Sequence, residues 1–200
     1  MKYTMFFLQI LFTLLILIGC QCASCTKDNS NPNIPDSIFV KGDLYIQSKT
    51  GKTFFDNYIF RNYSESQNLD DYFELHYALS DPEKDFVHGK ILFYVDTTGN
   101  HLERYEDVGI PNCLGVPLSC EFNLTKEEAI EIAKRENLKE GIRPWDVSFR
   151  WDADVDMYVW HILVTLREIK SEQMFKANGE EMMIAPANGE VLKYREWNIF

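Results

Sequence analysis

The sequence predicts an α+β fold in which an antiparallel sheet is packed by a helix. Three features carry this expectation. Behind a capping signal at Thr125, apolar residues recur at helical spacing. From Trp145 onward the apolar period drops to two. Near the C-terminus Asn188-Gly189 sits between two apolar runs, as a hairpin turn does.

Taken in chain order, the first element is a leader. Lys2 is followed by Met5 to Ile18, 14 residues that are apolar apart from Gln9 and Thr13. A membrane-spanning helix needs ~20 residues, so this run fits the apolar region of a signal peptide covering residues 1–19. Leu17-Ile18-Gly19-Cys20 resembles the lipobox of bacterial lipoproteins, in which the cysteine is lipidated and becomes the first mature residue. That resemblance implies acylation at Cys20 and a membrane lipid as partner. Gln21 stands where retention at the inner membrane usually has aspartate, so it resembles the outer-membrane-sorted class. Residues 20–36 are polar, small and proline-containing, as a flexible spacer is. Cys22 and Cys25 lie in that spacer, where a disulfide, free thiols or an intermolecular bridge all remain open.

Lys2 is the only charged residue of the leader, so its loss leaves 19 basic against 31 acidic residues. An acidic surface repels phosphate backbones, which argues against nucleic-acid binding. Aromatic residues make up 14% and hydrophobic residues 46% of the chain, enough to bury a core.

Residues 37–120 read as a β-rich half. Ile38-Phe39-Val40 and Leu44-Tyr45-Ile46, flanking Lys41-Gly42-Asp43, are expected as two short strands or one bent strand. Residues 53–63 fit helix or strand. Tyr72 to Tyr77 reads as a strand ending in a turn at Ser80-Asp81-Pro82-Glu83, and Lys90 to Val95 as a strand running into a turn at Asp96–Asn100. Cys113 and Cys120 bracket a short loop. In an oxidising compartment they are candidates for a local disulfide; the alternative, a thiol–metal pair, lacks further ligands nearby.

Residues 121–200 form the second half. Thr125-Lys126-Glu127-Glu128 is a capping box, and the helix it starts is expected over 126–138, stopped by Gly141 and Pro144. Trp145, Val147, Phe149 and Trp151 share one strand face. Asp152 to Asp156 make a turn. The strand that follows is apolar on both faces, Tyr158, Trp160, Ile162, Val164 and Leu166 on one and Val159, His161 and Leu163 on the other, as a central strand is. Met182 to Ala185 then leads through Asn188-Gly189 to Val191-Leu192.

This order carries a second resemblance. Leu124 to Ala133 is similar to the opening helix of the PepSY domain, Tyr158-Val159-Trp160 to its central strand, and Ala187 to Leu192 to its closing hairpin. The similarity covers about residues 121–196. It implies a non-catalytic binding or regulatory module, of a kind often associated with protease propeptides. Residues 96–106 can also be laid on 186–196, where Gly, Leu and the final Glu coincide. A true repeat would make the N-terminal half a degenerate copy of the C-terminal one.

Candidates for chemistry are few. Asp152, Asp154 and Asp156 alternate like calcium ligands, but Met157 and Leu163 stand where an EF-hand needs Gly and Glu, so an acidic turn is the simpler reading. His76, His88, His101 and His161 lie 12 or more residues apart with no metal-ligand spacing, and His161 reads as a satisfied core residue. No nucleophile motif, phosphate loop or cofactor motif occurs, so no catalytic residue, metal or cofactor is assigned. The expected protein is a lipid-anchored binding or regulatory lipoprotein of the cell envelope, not an enzyme, with an envelope protein as partner and a peptidase as one candidate. Its alternative is a small-ligand carrier or hydrolase using a cleft between the halves. Ile184 to Leu192 is the strand expected to dock a partner, and Trp197 and Phe200 are expected as exposed apolar contacts or, alternatively, as the finish of the sheet.

Overall fold

The computed structural model describes residues 33–171 and 174–199. The leader, Cys20, Cys22, Cys25 and Phe200 lie outside the described residues. The fold is α+β; the described residues form three α-helices and two antiparallel four-stranded sheets.

The first half opens with a correction. Residues 38–46, expected as two short strands or one bent strand, lie within helix α1 (Asp36–Thr50). Local content favoured a strand, since Ile38, Val40 and Ile46 are β-branched and Phe39 and Tyr45 aromatic. The buried positions decide otherwise: Ile38, Gly42, Ile46 and Thr50 recur every four residues, with Phe39 beside them. Gly42 lets the helix lie directly on the sheet, where a Cβ would stand 2.7 Å from the Tyr77 hydroxyl. Arg61 pins the helix from the sheet side through Asp43 and Asp36, each at 2.6 Å. Ile34, inside the span 20–36 expected as a spacer, is buried in the core.

Helix α2 (Lys52–Tyr58) follows, then the short strands β1 (Ile59–Arg61) and β2 (Gln67–Asn68). Both pair with β3 (Tyr72–Asp81), which pairs along its length with β4 (Lys84–Asp96). β3 alternates buried and half-buried residues, so Phe73, Leu75, Tyr77 and Leu79 enter the core beneath α1. Beyond β4 the chain returns alongside it through single bridges at His101 and Val108. The half expected as β-rich is therefore a helix on a sheet.

The second half is a helix and a four-strand meander. Helix α3 (Lys126–Arg135) carries the expected capping box: the Thr125 hydroxyl accepts from the Glu128 amide, and Glu128 accepts from the Thr125 amide at 2.8 Å. It ends three residues before the expected stop. Asn137 takes a left-handed conformation (φ 62°), and the Leu138 amide reaches back to the Ala133 carbonyl at 3.0 Å. This is a Schellman cap with Asn in the glycine position and buried Leu138 as its apolar clasp. Strands β5 (Asp146–Asp152), β6 (Met157–Lys170), β7 (Phe175–Ile184) and β8 (Val191–Ile199) pair in sequence order.

The two halves share an order of helix, edge strand, two long central strands and a returning edge. The turns laid on each other in the sequence occupy the same place in it, after the third strand. In one, the Asp96 amide donates to Asn100 and the Gly99 amide to Asp96; in the other, Ala185 donates to Glu190 and Gly189 to Ala185. Gly99 (φ 85°) lies against Ile38 and Lys41 of α1, and Gly189 (φ 77°) against Ile132 of α3.

One core joins the halves. Tyr158 projects from β6 and its hydroxyl donates toward the carbonyls of Gly109 (3.2 Å) and Lys90 (3.4 Å) in the first half. Phe86 of β4 packs on Phe149 and Trp160, with ring centres 5.8 and 5.1 Å away. Of the aromatic strand residues, Phe149, Tyr158 and Trp160 are buried in this core, whereas Trp145 and Trp151 are half-buried.

Candidate functional site

A recess runs along α3 on the side of β5. Three residues at four-residue spacing, Lys126, Ile130 and Lys134, form its helical wall. Val147 and Trp145 form the floor. Glu140, Gly141, Arg143 and Pro144 close one end of a recess of about 700 Å³. Around Lys126 and Val147 it continues into a second recess of about 670 Å³. There the opposite wall is the β3–β4 hairpin, with Glu83, Lys84, Asp85 and His88 at the rim and Phe86, Phe149 and Trp160 beneath.

Local structure fixes this groove. The Schellman cap turns the chain out of α3, and the Ile142 amide then donates to the Thr165 carbonyl at 2.9 Å. Arg143 donates to the Thr165 hydroxyl at 3.0 Å and pairs with Glu168 at 3.3 Å. The Trp145 indole donates to the Lys139 carbonyl at 3.1 Å, which holds the ring in the wall. Lys139 in turn pairs with buried Glu180. Burial opposes ionisation of Glu180, but the bonds from Lys139 and Tyr194 outweigh it and keep its carboxyl below the ordinary range.

β5 is an edge strand. It pairs with β6 on one side; on the other, none of residues 146–152 makes a further backbone hydrogen bond among the described residues. The segment Ile184 to Leu192, expected as one docking strand, is a hairpin instead. Ile184 ends β7, which is paired on both sides and buried there, and after the turn Val191 and Leu192 begin the edge strand β8. The open edges of this sheet are β5 and β8.

The charge of the groove runs against that of the chain. Lys126, Lys134 and Arg143 face only Glu140 at the Trp145 end, in a protein of net charge −11. Lys134 and Arg143 have carboxylate partners, and Lys126 has none among the described residues. The other recess is mixed, with Lys84 and Lys126 against Glu83, Asp85 and Glu127.

The remaining sequence candidates fall elsewhere. Cys113 and Cys120 form the disulfide, with Cα atoms 5.4 Å apart. Asp152 caps the Asp154 amide at 3.1 Å, and Asp154 pairs with Lys193, so the acidic turn is held by protein groups. Lys193 keeps the Asp154 carboxyl below its ordinary range. His161 is buried and bonded to Glu181 at 3.0 Å, as a satisfied core histidine is. His101 bonds Asp107 at 2.8 Å and stacks on Tyr45, and His76 bonds Glu74 at 2.7 Å. His88 alone of the four lines the recess. Trp197 finishes the sheet: its indole donates to the Glu180 carbonyl at 3.2 Å, and its ring lies over Gly179. Among the described residues no group of three or more His, Cys, Asp or Glu is placed to hold a metal ion, and no helix is long and apolar enough to cross a membrane. The Lys126-Ile130-Lys134 stripe was visible as helical spacing; that it borders a free edge was not, because edge status depends on the whole strand order.

No protein-family model matches the chain, and no curated protein matches it.

Proposed function

We propose that this chain is a non-catalytic binding module of the cell envelope, anchored by acylation at Cys20, which takes an extended segment of a partner protein into the groove between α3 and β5. The carrying observation is the open backbone edge of Asp146–Ser148 beneath the Lys126-Ile130-Lys134 wall. An added strand satisfies its backbone groups along β5, and its alternate side chains reach the apolar floor at Trp145, Val147 and Ile130. The lysines and Arg143 favour a segment that alternates apolar and acidic residues. The resemblance of residues 121–196 to the PepSY domain supports the same reading and makes an envelope peptidase a natural partner class.

The test is a titration of the 15N-labelled full chain with a synthetic decapeptide alternating valine and glutamate. Shifts are expected at Trp145, Val147 and Ser148. Lys126→Glu with Lys134→Glu is expected to weaken binding at least tenfold. A peptide with lysine for glutamate that binds equally well, or shifts confined to other surfaces, sinks the reading.

A second reading has one observation of its own. The recess between the halves, about 670 Å³ and rimmed by Glu83, Asp85 and His88, has room for a small polar ligand. A ligand whose shifts map to the β3–β4 hairpin and not to Trp145 would favour it.

A further inference from the structure

The disulfide closes a loop with an unusual surface. From Val108 to Cys120 there is no charged residue and no histidine, in a chain where 26% of residues are charged. Leu114, Val116 and Leu118 are 65%, 49% and 45% exposed, so the aliphatic side chains of this loop point outward and not into the core. Gly115 and Pro117 between them are exposed as well. Scattered exposed apolar residues are ordinary, but three on one covalently closed turn with no charge among them form a patch.

Four amides of the loop have partners within the protein. The Leu114 amide donates to the Lys49 carbonyl at 3.0 Å and the Gly115 amide to the Asn112 side chain at 3.0 Å. The Val116 amide donates to the Asn112 carbonyl at 2.7 Å, and the Ser119 amide and hydroxyl both donate to the Val116 carbonyl, at 2.9 and 2.8 Å. Pro117 has no amide proton to lose. In a low-dielectric medium an unpaired amide is the main penalty on irregular backbone, and this loop has reduced it.

We propose that the tip Leu114–Leu118 is a membrane contact that seats in the interfacial region of a lipid bilayer. Its attraction is apolar. Lys49 and Lys52 at its base already have carboxylate partners, Asp107 at 3.8 Å and Asp56 at 2.7 Å, and the net charge of −11 opposes an anionic surface. The geometry is compatible with a lipid at Cys20. The loop meets the C-terminal end of α1 at Lys49, whereas the described chain enters at the N-terminal end, about 22 Å away for 15 helical residues. The 13 residues from Gln21 to Asn33 span up to ~45 Å when extended, so anchor and loop can reach one bilayer together. This inference is independent of the α3–β5 groove.

The test uses the full chain with Val116→Trp, on zwitterionic phosphatidylcholine vesicles, with wild type as the background for the four native tryptophans. The added indole is expected to shift its emission to the blue and to be quenched at least twofold more by lipids brominated in the upper acyl chain than in their absence. Adding Leu114→Asp and Leu118→Asp, with the disulfide verified by mass and the fold by circular dichroism, is expected to abolish both signals. An emission that stays aqueous on vesicles overturns the proposal, as does a signal that survives the aspartates. An indole that leaves water only when an envelope protein extract is added overturns it too, and assigns the loop to a protein partner.

Discussion

Gly89 gives the sharpest test of how the two halves are joined. It lies on β4 where Tyr158 crosses from the second half. A Cβ at this position would stand 2.5 Å from the Tyr158 ring atom Cε1, and closer still to its hydroxyl. The ring has no free direction, being stacked on Phe149 with centres 5.4 Å apart and edge-on to Trp151 at 5.2 Å. Gly89→Ala must therefore displace the tyrosine and break the contact of its hydroxyl with the Gly109 and Lys90 carbonyls. Overpacking of a tight core costs about 1–3 kcal/mol, and loss of a buried neutral hydrogen bond about 1 kcal/mol. The expected loss is about 2–4 kcal/mol, or roughly 5–12 °C in Tm for a chain of this size. All four tryptophans, Trp145, Trp151, Trp160 and Trp197, lie in the second half, whereas the substitution is in the first. Urea unfolding followed by tryptophan emission therefore reports the half that was not mutated. Coincident emission and circular-dichroism transitions, both moved by Gly89→Ala, are expected of one cooperative unit. A substitution that leaves the tryptophan transition in place would refute the shared core as the link between the halves.

Three further outcomes follow from local geometry. Thr125→Ala removes the capping hydroxyl of α3 and is expected to lower stability by about 1 kcal/mol in urea titration, whereas Thr125→Ser is expected to be near neutral. Cys113→Ser with Cys120→Ser opens the short loop, with an expected loss of about 2–3 kcal/mol on the chain-entropy account and no change in the α3–β5 groove shifts. The Thr98 hydroxyl and the Asn100 amide hold the Asp96 carboxyl down to about 2. A depressed acid adds stability that is complete above its unfolded value of ~3.9 and lost as pH falls through the folded value. The side-chain carboxyl carbon of Asp96 is thus expected to titrate near 2 by NMR; a midpoint near 4 would mean that the turn is not formed as described.

Much of the second half was legible because each of its signals is local. The capping box at Thr125, the period of two from Trp145, and Asn188-Gly189 all act within a few residues, and the structure places each where expected. The misses depended on distant partners. α1 was read as strand because its composition is that of a strand; only packing over Leu75, Tyr77 and Phe93, with Gly42 at the contact, makes the helix the better solution. α3 stopped early because asparagine served as its left-handed cap, where glycine is the commoner signal. The groove could be read only in pieces. Its helical stripe is in the sequence, but its floor exists because β5 is the first strand of its sheet, with Phe86 of the β3–β4 hairpin packed on Phe149.

The two halves differ at the edge strand that borders the α3–β5 groove. Each half lays its helix on a four-strand sheet and seats a glycine turn under the helix. In the first half the strand corresponding to β5 is split into β1 and β2, with helix α2 immediately before the first piece and the segment from Asn62 to Ser66 between the two. The Asn62 amide donates to the His76 carbonyl at 2.9 Å, which extends the pairing between the two short strands. No comparable helix or insertion precedes β5. The chain goes from the Schellman cap at Asn137 to Trp145 in eight residues and leaves the edge bare. If bareness is the point, lengthening that connection should block the groove without touching the core. Insertion of a glycine-serine segment between Glu140 and Gly141 is expected to leave Tm within about 2 °C, since loop extension carries only a small entropic penalty, and to reduce peptide binding. Unchanged peptide affinity after such an insertion would show that the segment binds elsewhere.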